Sequence, residues 1–230
     1  MGGAEVQRSR GRRLLRAVAA TAASVVPVAS LAFAVRQQFH PIIAADQRAI
    51  RTATRFSRTH GLTSTLVGLQ RLAQPAVVYT ASTAVLIVVG KRKRRRGRAL
   101  WAFVTMMTGW GIGGLSKVLV RRLRPVVDDP LSHSSGYSFP SAHALNIAAA
   151  GSAMTVFGWP LLTGTGRRLT ITAAVAGGLA VGLDRILLGV HFPSDVIAGW
   201  LLGLGVTAAS WSGFTGRMSA TSRRIELHPA

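Results

Sequence analysis

Apolar residues in this chain neither alternate nor recur only at helical spacing. They collect in uncharged runs at residues 17–35, 76–90, 99–116, 145–162, 169–183 and 196–211, separated by segments that carry the charge, most of it basic. Runs of about 15 to 20 residues match the hydrocarbon thickness of a bilayer. Backbone polar groups in that medium must be satisfied within the segment, so each run predicts a helix. The 76–90 run is short unless Leu72 and Ala73 extend it. The pattern predicts an all-α, polytopic membrane protein with six transmembrane helices in one bundle.

The segments between the runs refine this picture. Residues 1–16 are polar and basic, with Arg8, Arg10, Arg12, Arg13 and Arg16, and read as an N-terminal segment without a fold of its own. The first run could instead be a signal peptide, because Ala32-Phe33-Ala34 fits a cleavage site, but it is long for a signal core. Residues 36–74 are mixed; Leu62, Leu66, Leu69 and Leu72 recur at roughly helical spacing and suggest an amphipathic connection near the membrane surface. Residues 17–215 form one membrane domain, and 216–230 read as a polar, fraying tail.

Charge sets the expected orientation. The formal net charge is +21. The cations sit between apolar runs rather than on a stripe with interleaved aromatics, so anionic phospholipid headgroups, not nucleic acid, are their natural partner. The densest block is Lys91-Arg-Lys-Arg-Arg-Arg96-Gly-Arg98. With the N-terminus inside, residues 1–16, that block, Arg167-Arg168 and the tail all face the cytoplasm, as the positive-inside rule requires. The expected location is the cell membrane. No cysteine is present, which excludes disulfides, thiolate metal sites and cysteine nucleophiles.

Three polar runs then stand out, and this topology puts all three on the extracytoplasmic side. The first is Lys117-Val-Leu-Val-Arg-Arg-Leu-Arg124-Pro125. Seven residues are nearly two helical turns, so Lys117 and Arg124 are expected on one helix face, with Pro125 ending the helix. A guanidinium fork and an ammonium point charge suit phosphate oxygens; interfacial anchors would look the same. Arg121 and Arg122 read as surface charges. The second run is Pro140-Ser141-Ala142-His143, where Ser141 can cap a helix whose first N–H groups would face an anion, with His143 beside it. An ordinary capped helix start fits equally well. The third is Asp184-Arg185, five residues, His191, Phe192-Pro193-Ser194 and Asp195. Pro193 can start a helix, and a carboxylate near His191 Nδ1 would leave Nε2 free as a nucleophile. A structural Arg–Asp pair is the alternative.

Taken together, K-x6-R-P, P-S-A-H and D-R-x5-H-x3-D resemble the signature of the type 2 phosphatidic acid phosphatase (PAP2) superfamily. The motif-bearing part covers residues 117–195. Two positions depart from the family pattern: Ala142 stands where Gly is usual, and Asp184 where Ser is usual. The resemblance implies an integral membrane lipid phosphatase that uses no metal and no cofactor. His191 would be the nucleophile of a phosphohistidine mechanism, Asp195 its orienting partner and His143 the proton donor to the leaving oxygen. Lys117, Arg124, Ser141, Ala142 and Arg185 would line the phosphate site. Asp184 is expected to turn away from phosphate, toward Arg185 or a neighbouring span. The substrate would be a membrane lipid phosphate or diphosphate, with a polyprenyl diphosphate favoured and phosphatidic acid or phosphatidylglycerol phosphate next. A lipid phosphotransferase would share these motifs; a non-catalytic anionic-lipid binding protein would share the cations but not need the His191–Asp195 pair.

Overall fold

The structure, a computed structural model, describes residues 2–127, 131–132 and 134–227, with side chains up to Phe214 except those of residues 2–10 and 13. Within that range the chain is helical and contains no strand: α1 (Gly2–Arg36), α2 (His40–Thr59), α3 (Thr63–Leu72), α4 (Pro75–Arg92), α5 (Arg96–Val120), α6 (Ala142–Gly158), α7 (Gly164–Leu187) and α8 (Pro193–Leu227), with one 3-10 turn after α6. Residues 128–130 and 133 of the expected outer loop, and 228–230 of the expected tail, lie outside the described residues.

Five helical stretches are long and apolar enough to cross a membrane: Leu14–Arg36, Arg96–Val120, Ala142–Leu161, Gly164–Leu187 and Pro193–Phe214. The sixth expected span, 76–90, reaches that length only as α3 and α4 together, and the two meet at a 44° bend. Gln74-Pro75 causes the break, since Pro disfavours helical geometry in the residue before it, and Gln74 is extended (ψ 135°). The protein is a multi-pass membrane protein. The first helix continues back through the basic segment to Gly2, and α8 runs on to Leu227, so the backbone of both expected flanking segments extends a span.

α6 sits at the centre, against α4, α5, α7 and α8, and α1 lies along α8. Small residues allow these close contacts. Gly199 and Gly203 turn toward α6 so tightly that a Cβ on Gly203 would stand 2.5 Å from the Leu145 carbonyl, the small-residue packing by which helices approach in lipid. One apolar cluster joins α4, α5 and α6 through Tyr79, Leu86, Trp101, Met106 and Phe157. Another joins α1, α6 and α8 through Val28, Leu145, Ala198 and Leu202.

Residues 36–74 differ most from expectation. They form two helices that dock on the bundle rather than one surface connection. Asp46, Ile50, Thr54 and Ser57 of α2 make one buried stripe; Ser57 Oγ donates to the Leu187 carbonyl at the end of α7 (2.9 Å). Leu66 of α3 packs on Leu188 and Val190. The alternating course of α5 to α8 brings the end of α5, the start of α6, the end of α7 and the start of α8 to one end of the bundle, and α2 and α3 lie against that end.

Candidate active site

The first motif is not built as expected. α5 stops at Val120, five residues before Pro125, because Arg121 takes a left-handed conformation (φ 54°) as its C-cap. Lys117 therefore lies in the last helical turn and Arg124 in the extended segment beyond it, so the two do not share a helix face. They converge by tertiary folding. Lys117 Nζ donates to the Tyr137 carbonyl (2.5 Å). Arg124 donates to the carbonyls of Ser135 (3.0 Å), Gly136 (3.1 Å) and Val190 (2.8 Å), and Nη1 also lies 3.1 Å from His191 Nε2. The same turn carries Arg122 inward. Arg122 is 8% exposed and is a buried cation, not the surface charge expected of it.

Ser141 caps α6, with its hydroxyl accepting from the Ala144 N–H, and its own N–H donates to the Asp195 carbonyl (2.9 Å). Ala142 is the first residue of α6 and keeps a negative φ, since positive φ among the described non-glycine residues is confined to Gln38, Arg94 and Arg121. The methyl group that replaces hydrogen there meets no backbone penalty. His143 lies within electrostatic reach of Lys117, Arg124, Arg185 and His191, and its Nε2 is a buried nitrogen without a partner in the protein.

The third motif folds back on itself. Gly189 at φ 72° turns the chain after α7, and the Arg185 carbonyl accepts from the N–H groups of Val190 (3.1 Å) and His191 (3.2 Å). Arg185 is 1% exposed and pairs with Asp184 through Nε (2.9 Å) and Nη2. Asp184 thus turns to Arg185, while its Oδ1 is buried without a partner.

Asp195, at the start of α8, is fully buried and saturated with donors. Oδ1 accepts from Arg122 Nη1 (2.8 Å); Oδ2 accepts from Ser138 Oγ (2.5 Å) and the Phe192 N–H (2.9 Å). His191 Nδ1 is 3.6 Å from Oδ2, and Ser138 Oγ lies between them, 3.3 Å from Nδ1. A guanidinium can only donate, so the contact from Arg124 assigns a lone pair to His191 Nε2 and the ring proton to Nδ1. The proton chain then runs Nδ1–H to Ser138 Oγ, and Ser138 O–H to Asp195. Burial pushes the His191 imidazole down to about 4; Asp195 pulls it up, and Arg124 and Lys117 push it further down. The ring is neutral at pH 7, with Nε2 facing the cations. Burial also lowers Arg124 from its ordinary value, opposed by Asp195 and reinforced by Arg185.

The structure therefore gathers Lys117, Arg124, Ser141, Ala142, His143, Arg185, His191 and Asp195 at one end of the bundle. It adds four residues that the sequence reading missed: Ser138, Arg122, Ser194 and Asp46. Asp46 Oδ2 accepts from Arg122 Nη2 (2.7 Å), and Oδ1 accepts from the Ser194 N–H (3.1 Å). The signal for Asp46 was the 46-50-54-57 stripe, which has helical spacing and carries an isolated acid. Among the described residues, no three His, Cys, Asp or Glu side chains gather as a metal site.

A bundle that crosses the membrane and ends in a cradle of three cations, two histidines and a buried carboxylate defines a phosphoryl-handling enzyme of the bilayer. The PAP2 superfamily pattern matches residues 98–219, and the chain belongs to that superfamily of phosphatases. Decaprenylphosphoryl-5-phosphoribose phosphatase of Mycobacterium tuberculosis is 34% identical over 168 residues, covering 71% of this chain and 86% of the relative. Phosphatidylglycerophosphatase B of Bacillus subtilis is 36% identical over 113 residues, or 46% of this chain and 55% of that protein's length. Undecaprenyl-diphosphatase of Sulfolobus acidocaldarius is 30% identical over 144 residues, 60% of this chain and 61% of the relative. A solved transmembrane PAP2 type phosphatidylglycerolphosphate phosphatase from Bacillus subtilis superposes with a TM-score of 0.70 over 86% of this chain and 98% of that one, at 23% identity, and shares its fold.

The Asp184–Arg185 pair yields a prediction. Asp184→Ala removes the partner of Arg185 and is expected to lower kcat/KM about tenfold, the worth of one charge-assisted hydrogen bond. Asp184→Ser is expected to change it by less than about tenfold. Steady-state phosphate release checks this; a gain in both variants, greatest at high pH, would mean that Asp184 repels the substrate.

Proposed function

We propose that the protein hydrolyses a lipid phosphate or diphosphate through a phosphohistidine on His191, with no metal ion. The observation that carries this reading is the placement of His191: Nδ1 faces Ser138 and Asp195, and Nε2 faces Arg124, which is the arrangement of a neutral ring with its proton on Nδ1 and its lone pair among cations. In the first step Nε2 attacks phosphorus in line. The N–P bond forms as the P–O bond to the leaving oxygen of the lipid breaks, and His143, protonated once the phosphate dianion is bound among the cations, gives that oxygen its proton. Arg124 turns from Nε2 to the incoming phosphoryl oxygens, joined by Lys117, Arg185 and the N–H groups at the start of α6. These cations offset the charge of the transferring group, which is where most of the rate comes from in phosphoryl transfer. Asp195 stabilises the positive ring through Ser138. In the second step His143 takes a proton from water, the oxygen attacks phosphorus, the N–P bond breaks, and inorganic phosphate leaves with His191 neutral again.

The lipid part of the substrate is supported by a groove of 420 Å³ between α6, α7 and α8. Its lining begins at Ile147, one helical turn from His143, and includes Gly151, Leu179, Trp200 and Leu204. A chain entering there would hold its phosphate at the cations. Among the relatives above, the one sharing the largest part of this chain acts on a decaprenyl phosphate derivative, and another on an undecaprenyl diphosphate. A polyprenyl-linked phosphate is therefore the proposed substrate. The proposed location is the cell membrane with the site on the extracytoplasmic face, because this puts the Lys91–Arg98 block on the opposite, cytoplasmic side, where anionic phospholipids meet it.

Purified protein is assayed for phosphate release against undecaprenyl diphosphate, decaprenylphosphoryl-5-phosphoribose, phosphatidylglycerol phosphate and phosphatidic acid. The polyprenyl substrates are expected to be hydrolysed fastest, unaffected by chelator. His191→Ala is expected to lose activity by about three orders of magnitude or more. Retention of a tenth of the activity, or rescue of chelated enzyme by a divalent cation, would contradict the mechanism.

Topology is tested separately. Ser134, in the loop before α6, and Gly97, in the first turn of α5, are exposed and are assigned to opposite sides. A cysteine at Ser134 is expected to react with a membrane-impermeant thiol reagent in intact cells, and one at Gly97 to react only after lysis. The reverse pattern would move the site to the cytoplasm.

A further inference from the structure

Arg122 and Asp46 are buried next to the reacting histidine but do not point into the phosphate cradle. Arg122 uses its whole fork: Nη1 donates to Asp195 Oδ1 (2.8 Å) and Ser194 Oγ (2.7 Å), and Nη2 donates to Asp46 Oδ2 (2.7 Å). Its guanidinium also stands 4.0 Å over the Phe192 ring. Asp46 holds the same turn from the other side, accepting from the N–H and the hydroxyl of Ser194. The two residues thus grip Phe192, Ser194 and Asp195, the turn that immediately follows His191. Asp46 belongs to α2, outside the stretch 98–219 that defines the superfamily in this chain.

We infer that Asp46 and Arg122 are positioning residues for phosphoryl transfer: they aim the Asp195 carboxylate at His191 and leave it the charge needed to balance the phosphorylated ring. The inference rests on the proposed role of His191. Arg122 takes Oδ1 of Asp195, and this leaves Oδ2 for Ser138 and the side of the carboxylate that faces Nδ1. One cation is shared between two carboxylates, so the triad keeps one net negative charge. Were Asp46 neutral, Arg122 would be given over to Asp195, and the ring would lose its counter-charge just when phosphorylation makes it positive. Buried ion pairs are weak stabilisers once desolvation is counted. A rigid bridge that orients a carboxylate is a use for which a guanidinium fork is well suited. The other titratable groups that face His191 are Arg124 and Lys117 from the α5 side and His143 from α6, and Arg185 from α7 acts on Arg124 and His143 in turn. Asp195 is thus the acid among cations, and Asp46 its remote support.

The test uses the full chain in detergent and the lipid phosphate that it hydrolyses best. Asp46→Asn is isosteric and keeps an oxygen for the Ser194 N–H while removing the charge. Its kcat is expected to fall about 10- to 100-fold, by analogy with the loss when the outer partner of a metal-bound histidine is removed, with KM within about twofold. Arg122→Gln is expected to fall at least as far. The double variant Asp46→Asn/Arg122→Gln is expected to recover part of that loss, because it removes the orphaned carboxylate and leaves Asp195 its charge. Arg122→Lys, which keeps the charge without the fork, is expected to lower kcat at unchanged KM and keeps the test open if Asp46→Asn does not accumulate. A kcat per folded enzyme within twofold of wild type for Asp46→Asn, or losses that appear only in KM, would overturn the inference. His191→Ala in the same assay separates the two claims: if it stays active the nucleophile reading fails and this inference with it. If it is dead while Asp46→Asn and Arg122→Lys are normal, only this inference fails.

Discussion

A carboxylate sealed inside a membrane protein has to be paired on every side, and Asp195 is the group on which the arrangement at this end of the bundle depends. Its two oxygens take hydrogen bonds from Arg122, Ser138 and the Phe192 N–H, and it faces His191. These partners come from the segment after α5, the loop before α6 and the turn before α8. Its backbone carbonyl also receives the Ser141 N–H at the start of α6. Removing the carboxylate would leave Arg122 paired with Asp46 but would strip Ser138 Oγ and the Phe192 N–H of the acceptor they share, a costly state for buried donors. One charge therefore links the packing of several elements to the state of the ring proposed as nucleophile.

The bundle supplies this cluster with its surroundings. Helices that run up and down bring alternate ends together, so residues 117–124, 141–143 and 185–195 meet despite their separation in sequence. Close helix contact through Gly199 and Gly203 holds α8 against α6 and fixes Asp195 relative to His143. The cations are held in advance by carbonyls: Lys117 by Tyr137, and Arg124 by Ser135, Gly136 and Val190. A substrate phosphate would exchange those neutral acceptors for charged ones, with little rearrangement of the backbone. α2 closes the site from the side, and through Asp46 it contributes a charge as well as a wall.

The spans were legible in the sequence because bilayer thickness sets a length that few other structures imitate. The motif residues could be singled out only by the order and spacing of the three runs together, since each run alone also reads as interfacial anchors, a capped helix start or a structural ion pair. Their geometry was less legible. Helical spacing put Lys117 and Arg124 on one face, but Arg121 ends α5 by a left-handed turn that no residue-type preference announces. The same turn made Arg122 a buried residue rather than a surface one. Ser138 lies in a loop, where nothing in spacing marks one serine over its neighbours. Asp46 pairs with residues 76 and 148 positions away, and such a contact leaves no trace in one sequence beyond an acid placed on the buried stripe of an otherwise basic helix.

The central claim is that His191 carries the phosphoryl group during turnover. It is tested most directly by quenching the enzyme in the steady state with a lipid diphosphate, digesting it at alkaline pH, where phosphohistidine survives, and locating the phosphate by mass spectrometry. The account predicts a single phosphorylated site at Nε2 of His191, stable to base, labile to acid and absent from His191→Ala. Turnover with no phosphoenzyme under any quench, or phosphate found on another residue, would contradict it.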